Sequence, residues 1–145
     1  MPEQMWSKPR YFTYYKLPTK VIPREGGGEP LVWRFDNRSG GWKENDEILV
    51  EIESNSRAEL STLDRERFID ITEWFRARYR LRTEGPMAAL YETLLAVRDQ
   101  AERDNRPLTD NERALIHGLS RKTYAMFERE LAARGDPGAD PSPES

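Results

Sequence analysis

The chain reads as an α+β domain: a small N-terminal antiparallel β-sheet of three or four strands, then three α-helices, the last two forming an antiparallel hairpin. Three observations predict this. Residues 10–53 are dense in Tyr, Phe, Trp, Val and Ile, broken by Gly and Pro clusters. From residue 62 to 134 apolar residues recur at steps of three and four. At 145 residues one domain is the default, and a chain of this size buries enough surface to need no staple.

"RYFTYYKLPTKVI" opens the strand-rich part. Pro18 and Pro23 remove ladder donors, so this strand should be short, bent or at an edge. "REGGGEP" reads as a flexible loop. "LVWRFD" is a second strand with Leu31, Trp33 and Phe35 on one face. "DNRSGG" is a turn in which Gly40 or Gly41 supplies positive φ, and Trp42 begins a return strand. "EILVEI" alternates Ile48, Val50 and Ile52 against Glu51 and Glu53, which predicts a strand.

The helical part begins with Ser61 or Thr62 as N-cap and acids at 64 and 66 near the positive helix end. Phe68, Ile71 and Phe75 set its stripe. The next helix carries Met87, Leu90, Tyr91, Leu94, Leu95 and Ala101 on one side, with Thr83 as cap and Pro86 in the first turn. Thr109 and Glu112 spell a capping box, and that helix runs to about Arg134, where Gly135 ends it. The short link from Asp104 to Leu108 makes the last two helices antiparallel neighbours. Residues 135–145, "GDPGADPSPES", read as a disordered tail outside the 1–134 domain, because they are polar and Pro-rich.

Composition excludes several functions. The chain has no cysteine, so thiol catalysis, disulfides and cysteine-based metal centres are out. It has one histidine, so a two-histidine metal site is out as well. His117 shares a helix face with Arg113, Arg121, Tyr124 and Glu128, and reads as a surface residue. No HExxH, P-loop, nucleophile elbow or SxxK motif occurs. The acids Glu44, Asp46 and Glu47 beside Trp42 read as a solvated loop. No catalytic residue, metal ligand or cofactor is therefore expected, and the chain reads as a non-enzyme. The net charge of −3 predicts no general attraction to nucleic acid or membrane. No stretch approaches the length of a membrane span, and the N-terminus carries no apolar leader. Arginine far outnumbers lysine, as in GC-rich bacterial genomes. A bacterial, cytoplasmic setting is the expectation.

Two candidate binding surfaces remain. Residues 6–24 hold Lys8, Arg10, Lys16, Lys20 and Arg24 with no acid, interleaved with Trp6, Tyr11, Phe12, Tyr14 and Tyr15. Such a surface can stack bases and track phosphates. Against it stand the nine acids and four bases of residues 43–70, which can neutralise the same cations within the fold. The second surface is "EWFRARYRLR". On a helix its arginines separate into the pairs Arg76/Arg80 and Arg78/Arg82, a cationic helix end rather than a one-sided ladder. Aromatic-rich chains without a catalytic constellation most often bind protein. The reading is a protein-binding accessory or adaptor domain of an immunity-like or phage-related kind, with Trp6, Arg10, Tyr11, Tyr14, Lys16, Lys20, Trp42, Arg76, Arg78 and Arg80 as contact residues. A homodimer through the helices is a further partner option. The alternative is a nucleic-acid-binding regulator using residues 6–24.

Overall fold

A computed structural model describes residues 7–54 and 59–144. Its sheet has five antiparallel strands: β1 (Arg10–Tyr14), β2 (Leu17–Ile22), β3 (Leu31–Phe35), β4 (Trp42–Glu44) and β5 (Leu60–Leu63), in the spatial order β4-β3-β2-β1-β5. Four helices are present among the described residues: α1 (Asp46–Glu53), α2 (Arg65–Arg78), α3 (Gly85–Arg103) and α4 (Asp110–Ala133). The α+β class holds, with one strand and one helix beyond expectation. No helix among the described residues is long and apolar enough to cross a membrane.

The first strand-rich stretch folds on itself. Tyr14 faces Leu17, and the two residues between them, Tyr15 and Lys16, have φ of 47° and 72°. Both central positions at positive φ are what a two-residue hairpin needs to match strand twist, though glycine and asparagine are the usual occupants. Pro18 pairs with Thr13 on β1 and lies beyond the β2–β3 ladder, which begins at Thr19. Its missing N–H therefore breaks no bond on that side.

The "EILVEI" strand is not formed; those residues lie in α1. Ile48 and Leu49 are buried, Ile52 is half-buried, and Val50 is 64% exposed. The working pattern is i, i+1, i+4, a helical stripe, and Asp46 and Glu47 suit the first turn. α1 covers one sheet face through Phe12, Val21 and Val32. The other face, with Trp33, Phe35 and Trp42, meets α2, α3 and α4 around Phe68, Tyr91, Leu94, Tyr124 and Phe127. The result is three layers with the sheet in the middle.

Ser61 and Thr62 lie in β5, so neither caps α2. That cap is Asp64, whose side chain accepts from the Arg67 N–H at 2.8 Å. Before α3 the N-cap position is Glu84 rather than Thr83. The Thr109/Glu112 capping box is formed in both directions, at 3.1 and 2.9 Å. Arg106 grips the same glutamate, and with that hydrogen bond and the Thr109 N–H holds its carboxyl down at about 2. Thr109→Ala should therefore cost about 1 kcal/mol in a denaturant titration; no loss would move the helix start elsewhere.

Residues 136–144 do not hang free. They turn back after Gly135 (φ 82°) and lie across α4 and the sheet. Gly138 is buried so closely that an added Cβ would stand 2.5 Å from Trp42 Cβ. Asp136 accepts from the Trp42 N–H at 3.4 Å, and Asp140 accepts from the Tyr124 hydroxyl at 2.8 Å. Composition misleads here, because polar anchors, together with Gly138 and Ala139 packing on the core, fasten the segment.

Candidate ligand-binding cavity

Arg76, on the inner face of α2, has no solvent exposure. Its Nη1 donates to Glu73 at 2.8 Å, its Nη2 to Glu128 at 2.5 Å, and Nε and Nη2 both donate to the Gly40 carbonyl at 2.9 and 2.7 Å. The guanidinium stacks 4.0 Å over the Phe127 ring. Burial opposes its charge, but Glu73 and Glu128 outweigh that and hold its pKa above the ordinary value. Burial pushes the Glu73 carboxyl up, against the pull of Arg76. Tyr91 donates to its other oxygen at 2.6 Å. Gly40 completes the cluster: at φ 80° it brings its carbonyl in, and a Cβ there would meet the Phe127 ring at 2.5 Å.

Glu128 links this cluster to a second cation. Its carboxylate accepts from Trp42 Nε1 at 3.1 Å and from the Asp140 N–H at 2.7 Å. Lys20 Nζ lies 4.0 Å from the same group and 4.4 Å from the Trp42 ring centre. Lys20 is only 3% exposed. Burial lowers its pKa to about 8, although Glu128 and Asp140 pull the other way.

Lys20 lies at the inner wall of a cavity of about 710 Å³ between the sheet and residues 137–142. Ile22, Leu31 and Trp33 give it an apolar side; Tyr11, Tyr124 and Arg65 close the other. Arg65 donates to the Tyr11 hydroxyl at 3.2 Å and pairs with Asp140 at 2.9 Å. Asp140 also accepts from the Ser142 N–H; burial opposes its charge, but these partners keep its pKa below the ordinary value.

The expected contact residues scatter. Trp6 lies outside the described residues. Tyr11 and Lys20 reach the cavity, and Trp42 is buried beneath it. Lys20 and Arg76 are not surface cations, which corrects their reading as outward contacts: Glu128, reached only through the fold, draws both inward. Arg10 sits on the sheet with its guanidinium 5.7 Å from the Phe12 ring. Tyr14 lies on the opposite face, where a hydrogen bond to Glu51 pushes its hydroxyl up to about 12. Lys16 is exposed at the β1–β2 turn, and Arg78 and Arg80 are exposed together at the end of α2. His117 is half-buried and faces acids rather than arginines: its Nδ1 is 3.0 Å from Asp70, and Nε2 is 3.4 Å from Glu66. No group of three His, Cys, Asp or Glu among the described residues could hold a metal ion.

Glu73, Asp140 and Arg65 were not singled out as site residues from sequence, and Tyr124 and Glu128, expected on the surface face of His117, are fully buried. Only Glu73 left a signal, standing three residues before Arg76 on one helix. No protein-family model matches the chain, and no curated protein or solved structure resembles it significantly.

Proposed function

We propose that the chain is a non-enzymatic binding domain and that the cavity beside Lys20 receives a compact, largely apolar ligand. The observation that carries this reading is a nearly buried ammonium lining an apolar cavity of ligand size. Binding is preferred to catalysis because the acids around it are saturated: the Glu128 and Asp140 oxygens already accept from Arg76, Trp42, Tyr124 and backbone N–H groups. A bacterial cytoplasm fits the arginine-rich, cysteine-free composition. A screen of small apolar fragments by ¹H–¹⁵N NMR tests the proposal. Hits should shift Leu31, Trp33, Gly138 and Ala139 together; fragments that bind only elsewhere, or not at all, would remove it.

A second reading, binding to another protein as an accessory or immunity-like factor, is favoured by the hairpin tip. Tyr15 is 51% exposed and Lys16 is exposed, and both are held at positive φ. The two-residue turn holds both side chains out at the tip of the β1–β2 hairpin, where a partner can reach them. The nucleic-acid reading loses its platform, since Lys20 is inside and Tyr11 and Tyr14 lie on opposite faces. A homodimer through α3 and α4 has little to work with: among the described residues, the one large apolar side chain exposed on those helices is Leu115.

A further inference from the structure

We infer that the ligand of this cavity carries a single negative charge, a carboxylate on an apolar body, and that its carboxylate pairs with Lys20. This rests on the cavity being the binding site. The cavity wall holds three cations, Lys8, Lys20 and Arg65, against one acid, Asp140. Arg65 is already satisfied by Asp140, the Tyr11 hydroxyl and the Ser142 carbonyl. Lys8 is exposed to solvent. Lys20 differs from both. It is more than nine-tenths buried, and among the described residues its Nζ meets Glu128 only at 4.0 Å and the Trp42 ring, with no hydrogen bond. Glu128 cannot turn toward it, because Arg76, Trp42 and the Asp140 N–H hold both of its oxygens.

An ammonium has three donors, and that of Lys20, which lines the cavity, makes no hydrogen bond to the described residues. A ligand carboxylate in the cavity supplies the acceptors. One poorly compensated cation matches one negative charge; a dianion would bring excess charge against Asp140 and Glu128. The apolar body then lies along Ile22, Leu31 and Trp33, and the volume suits a molecule of drug size or smaller.

The charge state of Lys20 makes the inference readable by pH. The groups that face it are Glu128 and Tyr124 from α4, Arg76 and Arg65 from α2, Asp136 and Asp140 from the C-terminal segment, and Tyr11 from β1. With its pKa at about 8, the free site loses its proton above that pH. A bound carboxylate favours the ammonium and raises the pKa, so binding takes up a proton between the two values. Affinity therefore falls as pH rises, by up to about tenfold between pH 7 and pH 9.

Three probes with one tail and different heads test this: octanoate, octanol and octylamine, titrated by calorimetry into the full chain. Octanoate should bind at least tenfold more tightly than the other two, weaken from pH 7 to pH 9, and take up a proton at pH 9 in buffers of different ionisation heat. Octanol should show no such pH dependence. Lys20→Met should remove the octanoate preference while leaving octanol binding intact, which also shows that the variant keeps its cavity. Equal binding of all three probes would overturn the carboxylate inference and leave the cavity reading standing. Failure of all three in the millimolar range would overturn both.

Discussion

Arg76→Met is expected to cost the fold about 3–5 kcal/mol, the range for removing one partner of a buried ion pair. Small domains hold only about 5–15 kcal/mol in total, so the variant should be barely folded at neutral pH. The loss comes from what remains: Glu73 and Glu128, both without solvent exposure, would face each other's charge with no cation between them. The Gly40 carbonyl would lose two donors as well. The pH response distinguishes this from simple loss of packing. Burial already holds the Glu73 carboxyl above its ordinary value against the pull of Arg76; without that pull it rises further, so the folded state binds more protons than the unfolded chain. Lowering the pH from 7 toward 5 should then stabilise the variant. Adding Glu73→Gln and Glu128→Gln should recover part of the loss. Denaturant titrations at two pH values check it; a pH-independent loss would show that the arginine acts by volume alone.

Truncation after Gly135 carries the second large effect. Composition alone predicts no change, since residues 136–145 have no apolar residue beyond Ala139. The structure predicts a loss of about 2–4 kcal/mol, because hydrogen bonds to charged groups contribute about 1.5–3 kcal/mol each before entropy is subtracted. Asp140 alone holds Arg65, Tyr124 and the Ser142 N–H, and its own N–H satisfies Glu128. Removing the segment also uncovers Trp33 and Trp42 where Gly138 packs on them. A melting temperature lower by about 10 °C is expected for a domain of this size. Asp140→Asn isolates the carboxylate and should give a smaller drop. An unchanged melting temperature on truncation would mean that the contacts do not outweigh the cost of ordering the segment.

What could be read in the sequence was what depends on neighbours along the chain. The capping box at Thr109 and Glu112, the stripe from Met87 to Ala101, the break at Gly40 and the antiparallel α3–α4 pair are all local patterns, and each is present. α1 was misread because Ile48, Val50 and Ile52 satisfy a period of two while Ile48, Leu49 and Ile52 satisfy a helix; eight residues do not separate the two. β5 hides for a similar reason: Ser61 and Thr62 suit a cap as well as an edge strand. The cavity was not legible. Lys20 and Glu128 are far apart in sequence, as are Arg65 and Asp140, and no periodicity reports contacts at that separation. Burial of Arg76 follows from the same distant glutamate.

The docking of residues 136–144 has a consequence for synthesis. The chain emerges N-terminus first at roughly 5–20 residues per second, so β1 to β4 are outside the ribosome several seconds before Asp136 and Asp140 exist. During that interval Trp33, Phe35 and Trp42 have neither α4 nor the closing segment over them. β5 also arrives late, pairing Leu63 with Tyr11, so the β1 edge is unpaired at first. A nascent sheet with bare aromatics and an open edge is a substrate for chaperones, and slowed translation over residues 64–135 would lengthen its exposure.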